Sequence, residues 1–256
     1  MQQVRAKKSL GQHFLRDLGV AQRIADTIDS GRVLEIGPGM GVLTQFLLKN
    51  PKIDLMAVEL DHESVEYLGE WYPELKVIEA DFLTLDLNEL YPEGEFSIIG
   101  NYPYNISSQI FFKVLEYKDR IPVCSGMLQK EVAERLASKP GKKAYGILSV
   151  LLQAWYDIEY LFTVDAQLFN PPPKVQSAVI RLTRNKRREL DCDEKLFKTV
   201  VKTAFNQRRK QMRNSLQAIA GKGNPILQQE IFTKRPEQLG VEEFVELTKL
   251  LEPCQN

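Results

Sequence analysis

Asn101-Tyr102-Pro103-Tyr104 follows an apolar run, Phe96-Ser97-Ile98-Ile99-Gly100, that reads as a buried strand. An amide side chain, a proline-fixed carbonyl and an aromatic ring at the mouth of a sheet suit the grip of a flat exocyclic amine. Such an amine is a poor nucleophile because its lone pair is delocalised into the ring. The Asn101 side-chain oxygen and a backbone carbonyl near Tyr102–Pro103 would accept its two hydrogens, favour a pyramidal nitrogen and aim the lone pair at an electrophilic methyl group. No strong base is required if the proton leaves after transfer. Tyr104 would stack on the base and Phe169 would cover its other face, as aromatics do with unpaired bases; core packing is the alternative for both rings.

Upstream, Glu35-Ile36-Gly37-Pro38-Gly39-Met40-Gly41 makes a glycine-rich turn after another strand-like run. Glycine accepts positive φ and lets a ligand approach closely. The spacing is GxGxG with Val42 next, so the third glycine of a dinucleotide fingerprint is missing. The Gly-Lys-Ser/Thr ending of a phosphate loop is absent too. Glu59 closes the following strand, where a carboxylate accepts both hydroxyls of a ribose. Asp81 closes the one after, near where an adenine amine would sit. Acidic residues at successive strand ends suit a positively charged nucleoside such as S-adenosylmethionine. Glycines in a tight turn need no ligand by themselves, so this reading rests on Glu59 and Asp81 standing in register with them.

The elements that must position these groups follow from periodicity. Residues 32–36, 53–60, 75–80, 96–100 and 123–128 read as strands, and 19–28, 42–49, 62–71, 106–115 and 130–137 as helices. Their alternation implies an α/β fold, a parallel sheet covered on both faces. Residues 146–161 stay ambiguous between helix and strand, because Ile147 to Leu152 is nearly continuous in apolar character. Pro171-Pro172-Pro173 makes 169–175 rigid and extended, and 175–182 resumes as a strand. Past residue 188 only helices are indicated. A boundary near 185 divides the chain into a catalytic domain, 1–184, and a helical domain, 185–256.

With 34 Lys and Arg against 34 Asp and Glu, the net charge is zero. The average conceals an asymmetry: Lys174 to Lys222 holds 14 basic and 4 acidic residues, the remainder 20 and 30. A basic block beside an acidic body implies a localised polyanion-binding surface, with a solvated helical face as the alternative. If 194–220 is one continuous helix, at ~100° per residue Lys195, Lys198, Lys202, Arg209 and Arg213 share one arc, a stripe suited to RNA phosphates. Gln207-Arg208-Arg209-Lys210 is where such a helix would break. No apolar stretch approaches the ~18 residues of a membrane span, and the basic N-terminus lacks the apolar core of a secretory signal. Cys124, Cys192 and Cys254 are far apart and form no CxxC pair, which argues against disulfides and zinc and fits the cytoplasm.

Together the motifs resemble the KsgA-type small-subunit ribosomal RNA adenine dimethyltransferases over nearly the whole chain. The resemblance rests on KSLGQHFL at 8–15, EIGPGMG at 35–41, VELD at 58–61, EADFL at 79–83, NYPYNIS at 101–107, FNPPPKVQS at 169–177 and FNQRRKQMRNSL at 205–216. It implies a Rossmann-like, seven-stranded, mostly parallel methyltransferase sheet with a small C-terminal helical domain. It also implies a monomeric cytoplasmic enzyme that uses S-adenosyl-L-methionine, without a metal, to dimethylate two adjacent adenosines near the 3′ end of 16S rRNA in the small ribosomal subunit. On this resemblance His13 and Leu15 line the cofactor pocket, Gly37 contacts the methionine moiety, Glu59 the ribose and Asp81 the adenine. Asn101 faces both cofactor and target amine, beside Pro103, Tyr104 and Phe169. Lys174, Arg208, Arg209, Lys210 and Arg213 are the expected RNA contacts. The family often has Asn where this chain has His13, and Leu where it has Tyr102. Rival readings are a resistance-type methyltransferase acting on large-subunit rRNA, and an assembly factor whose main work is binding. An NAD-dependent oxidoreductase is disfavoured by the incomplete glycine fingerprint.

Overall fold

The computed structural model describes residues 4–255. In chain order the first elements are β1 (Phe14–Leu15), α1 (Leu18–Ala25), β2 (Gly31–Ile36), α2 (Thr44–Leu47), β3 (Ile53–Glu59), α3 (His62–Trp71), β4 (Lys76–Glu79) and α4 (Leu87–Leu90). They are followed by β5 (Ser97–Asn101), α5 (Ser107–Glu116), β6 (Val123–Gln129), α6 (Lys130–Leu136), α7 (Ile147–Gln153), β7 (Tyr156–Val164), β8 (Phe169–Asn170) and β9 (Ser177–Arg184). The remainder is helical: α8 (Glu194–Asn206), α9 (Met212–Ser215), α10 (Gln217–Ala220), α11 (Val241–Leu251) and short 3-10 turns. The chain forms two compact units. One reaches to Ala133 and resumes at Asp157–Arg184; the other joins Glu134–Tyr156 to the chain from Asn185 onward.

The first unit is built on a seven-stranded sheet in the order β4-β3-β2-β5-β6-β9-β7. Strands β2 to β6 pair in parallel, and β9 runs antiparallel to β6. Val33 to Ile36, Ser97 to Gly100 and Cys124 to Leu128 are buried at every residue. Successive strand side chains point to opposite faces, so unbroken burial means that both faces are covered. The expected α/β layering is what these runs produce. Helix α1 is started by Asp17, whose carboxylate accepts from the Val20 N–H at 2.8 Å, and its Ala21, Ile24 and Ala25 are buried. Between β2 and β5 the strand order reverses direction. In open α/β sheets a crevice forms outside the carboxyl ends at such a switch point. The site lies there.

In the second unit the ambiguous stretch becomes the buried helix α7. Helix α8 is capped by Asp193, which accepts from Leu196 N–H at 2.6 Å, and it buries Leu196, Phe197, Val200, Val201 and Ala204. It ends at Asn206, so of the two alternatives the break at Gln207-Arg208-Arg209-Lys210 is the one that forms, and a single 194–220 helix does not. Gln207 leaves helical geometry (φ −122°, ψ 45°), and the next helix begins at Met212. The physical reason is the run Gln207 to Gln211, four long polar side chains and Lys210 without one apolar residue to bury, so packing gives the helix no means to continue. Lys195, Lys198 and Lys202 lie exposed on α8, but Arg209 and Arg213 do not prolong their stripe. Among the described residues, no helix is long and apolar enough to cross a membrane.

Candidate active site

One cleft collects His13, Leu15, Gly37, Glu59, Asp81, Asn101, Pro103 and Tyr104 on its walls. Each comes from a strand end or from the N-terminal segment. Gly37 and Gly39 follow β2 at φ +64° and +56°, conformations that a side chain would strain. A Cβ on Gly37 would point toward the Pro103 ring, 3.8 Å away, and one on Gly39 would meet the Phe14 ring at 3.0 Å. Glu59 is the last residue of β3, Asp81 stands two residues past β4, and Asn101 is the last residue of β5. The fold thus brings the glycine turn, the acidic strand ends and the Asn101–Tyr104 tetrapeptide to one edge.

The N-terminal segment forms one wall of the cleft from Leu10 to Leu15. It is held at both ends. Lys7 Nζ pairs with Asp61 Oδ1 at 2.5 Å and Glu63 Oε1 at 3.0 Å, and Gln12 Nε2 donates to Asp61 Oδ2 at 3.2 Å. Burial opposes ionisation of Asp61, yet hydrogen bonds from Lys7, Gln12 and Ser64 outweigh it and hold its carboxyl below the usual range. At the far end β1 pairs antiparallel with β8, Leu15 opposite Phe169, and His13 Nδ1 donates to the Pro171 carbonyl at 2.8 Å. Asn101 Nδ2 donates to the His13 carbonyl at 3.2 Å. That bond fixes the amide's donor end on the wall and leaves Oδ1 as its acceptor end.

Tyr102 explains how the acceptor backbone is held. Its N–H donates to the Met127 carbonyl at 2.9 Å, and its hydroxyl donates to the Ser125 carbonyl at 2.6 Å. The ring is 1% exposed and fits only because Gly100 and Gly126 have no side chains, since a Cβ on either would stand 3.0 Å or 2.7 Å from it. Pro103's carbonyl accepts from Ile106 N–H at 3.2 Å, which makes the Tyr102 carbonyl the better candidate acceptor for an incoming amine. Tyr102→Phe is expected to lower the unfolding free energy by about 1–2 kcal/mol, by stranding a buried carbonyl partner. Urea unfolding with an unchanged m-value checks this; an unaltered midpoint would contradict it.

The cleft wall carries three carboxylates, Glu35, Glu59 and Asp81, and no lysine or arginine. Such a lining rejects phosphates and favours a cation with hydroxyls, which is the chemistry of a sulfonium nucleoside. Glu59 Oε1 accepts from the N–H groups of Leu60 and Asp61 at 2.8 and 2.9 Å, and Oε2 from Gly39 at 3.0 Å. A carboxylate has about four acceptor positions, so Oε2 keeps one for a ribose hydroxyl. Burial pushes the Glu59 carboxyl up while those three N–H groups oppose the shift. Asp81 Oδ1 accepts from Leu83 N–H at 2.9 Å.

Glu35 is 1% exposed, and its one side-chain donor is the Thr44 hydroxyl at 2.7 Å. Burial pushes its pKa up to about 7, with Glu59's charge adding to the rise and Thr44 opposing it. Between the ordinary glutamate value and about 7 the folded chain keeps a proton that the unfolded chain has released. Stability therefore falls as pH rises through that window and levels off above it. Glu35→Gln removes the dependence. Relative to the unaltered chain it is expected to gain roughly 3 kcal/mol between pH ~4.5 and pH ~8. Unfolding titrations at the two pH values check this, and a difference that does not move with pH would contradict it.

Two expected catalytic residues sit differently from their sequence reading. Tyr104 lies on the wall, but its ring already stacks on His13 (centroids 5.3 Å, 30°) and its hydroxyl bonds to Ser177. Phe169 is 2% exposed in the core beside Leu15, Met127 and Val179, not on the cleft wall. Lys174, Arg209, Lys210 and Arg213 are exposed, whereas Arg208 is half-buried. The sequence reading missed Gln12, Leu60 and Phe82 on the wall. Leu60, directly after Glu59, is 51% exposed, a property that only the fold shows.

Comparison with known proteins agrees with this geometry. The family described as ribosomal RNA adenine dimethylase matches residues 3–251. The ribosomal RNA small subunit methyltransferase A of Parabacteroides distasonis is 68% identical over 253 residues, 97% of this chain and 94% of that protein. The crystal structure of the 23S rRNA methyltransferase ErmE shares 29% identity at a TM-score of 0.67, covering 92% of this chain and 99% of that one. A dimethyladenosine transferase from Plasmodium falciparum, 23% identical, has the same fold at a TM-score of 0.79, covering 95% and 98%. With its methyltransferase sheet, its acidic nucleoside cleft and this match along nearly its whole length, the chain belongs to the ribosomal RNA adenine dimethylase family.

Proposed function

We propose that this chain dimethylates the N6 amines of two adjacent adenosines near the 3′ end of 16S rRNA in the small ribosomal subunit, with S-adenosylmethionine as methyl donor. The observation that carries the reading is the cleft itself, where Glu59 and Asp81, with no lysine or arginine on the wall, share the lining with Asn101 and Tyr102. The donor supplies an electrophilic methyl group. Glu59 and Asp81 hold its ribose and adenine, Gly37 makes room for its methionine part, and His13 and Leu15 close the N-terminal side. Asn101 Oδ1 and the Tyr102 carbonyl accept the two hydrogens of the target amine and concentrate its lone pair on nitrogen. Tyr104 offers a ring face to the adenine, and Phe169 reaches the base only after leaving the core.

The small-subunit assignment draws on the identity to the Parabacteroides protein named for that subunit. The boundary expected near 185 is amended by the packing of Glu134–Tyr156 in the second unit: the catalytic part is the first unit and the RNA-gripping part the second, working in the cytoplasm as a monomer and serving ribosome biogenesis. Arg209→Ala with Arg213→Ala is expected to weaken binding to undermethylated small subunits and to lower the slope of log affinity against log salt by about 1.4–1.8, leaving cofactor affinity intact. Filter binding across a salt series checks it, and an unchanged affinity and slope would remove the role given to these arginines.

A further inference from the structure

Arg208, expected from its place in the basic run to meet phosphate, has another use in the structure. Its guanidinium donates to the backbone carbonyls of Lys142 at 3.4 Å and Lys143 at 2.6 Å. These belong to the Lys139-Pro140-Gly141-Lys142-Lys143 loop, sixty-odd residues upstream but in the same compact unit. Further contacts make the loop a fixed feature. Gly141 N–H donates to the Glu237 carbonyl at 2.6 Å, and Tyr145 N–H to the Lys142 carbonyl at 3.1 Å. The Tyr145 ring is fully buried, edge-on to Phe205 with centroids 6.2 Å apart.

Every charged side chain that the two loops leave exposed is cationic. Lys139, Lys142 and Lys143 are exposed on one loop, Arg209 and Lys210 on the other. Among the described residues, none of the five is ion-paired with a carboxylate. Five like charges on two neighbouring loops repel one another, and no carboxylate among the described residues stands within ion-pairing distance of them. A surface of that kind is stabilised by a partner carrying several negative charges at fixed spacing. A small anion would neutralise only part of it, whereas a nucleic-acid backbone presents one phosphate per nucleotide along both loops.

We propose that the Lys139–Lys143 loop is a second arm of the RNA-binding surface, contacting backbone phosphates through Lys142 and Lys143, and that Arg208 is a positioning residue that clamps it beside Arg209 and Lys210. The proposal rests on the reading of the chain as an RNA methyltransferase. It goes further by adding residues outside the basic block and by changing the work of Arg208.

The test uses the full chain and undermethylated small ribosomal subunits in filter binding over a salt series. Lys142→Ala with Lys143→Ala is expected to lower affinity about tenfold near 0.15 M salt and to reduce the log–log salt slope by about 1.4–1.8. Arg208→Ala should weaken binding in the unaltered chain and have little further effect once Lys142 and Lys143 are alanine, because a clamp has nothing left to hold. Circular dichroism melts confirm that each variant is folded. Unchanged affinity and slope for the lysine pair, with the Arg209/Arg213 pair still defective, would overturn the loop's role and leave the RNA reading standing. Full additivity of Arg208→Ala with the lysine pair would overturn the clamp. Normal binding by every variant would remove the RNA surface altogether.

Discussion

Asn101→Ala is expected to reduce methyl transfer by at least about 100-fold while cofactor affinity stays within about threefold of the unaltered chain. On the proposed reading, Asn101 Oδ1 accepts from the target amine, since Nδ2 is committed to the His13 carbonyl. Removing a positioned polar group of this type from a reaction centre costs roughly 3–4 kcal/mol of transition-state stabilisation. The alanine variant also frees the His13 carbonyl, so a purely structural loss must be separated from a chemical one. Asn101→Asp does that, since it keeps an acceptor oxygen but cannot donate to His13. If acceptance is what matters, aspartate retains more turnover than alanine; if tethering is what matters, both fail alike. Single-turnover transfer of a labelled methyl group, with cofactor affinity by calorimetry, distinguishes the cases.

Glu59→Ala is the second large effect. The carboxylate bridges the glycine turn and the end of β3 by accepting from Gly39, Leu60 and Asp61. Its remaining acceptor position faces the cleft. Loss of a hydrogen bond to a charged group costs about 1.5–3 kcal/mol, and the loosened turn adds to this. Cofactor affinity is expected to fall about 100-fold, with small-subunit RNA affinity unchanged because Glu59 is not among the residues proposed to meet RNA. Calorimetry with the cofactor and filter binding with subunits form the paired check. Equal loss in both would mean general unfolding, and no loss in the first would remove Glu59 from the cofactor site.

Strand ends were the most legible part of this chain. A parallel strand buried on both faces is mostly apolar, so Val33 to Ile36 and Ser97 to Gly100, broken only by Glu35 and Ser97, announce themselves, and the polar residues that follow stand at the edge. That logic places Glu59, Asp81 and Asn101 before any coordinates are known. Whatever depends on distant partners was less legible. Lys7 and Gln12 read as ordinary polar residues until Asp61 is seen between them. Glu134–Tyr156 looks like a continuation of the α/β pattern, and only its packing assigns it to the second unit. Helix α8 stops where apolar residues run out, at the Gln207 run that the sequence itself marks as the place for a break. Phe169 stood in a motif that suggested a stacking ring, yet the strand pairing of β1 with β8 draws it into the core.

The central claim is that this cleft methylates adenine N6 twice on two neighbouring nucleotides of the small subunit. Incubation of the protein with isotopically labelled S-adenosylmethionine and undermethylated small subunits, followed by nuclease digestion and mass spectrometry, reads it directly. The expected result is four labelled methyl groups, as two adjacent N6,N6-dimethyladenosines near the 3′ end of the 16S rRNA. Label on a different base, on an adenosine elsewhere, or none on the rRNA would contradict it.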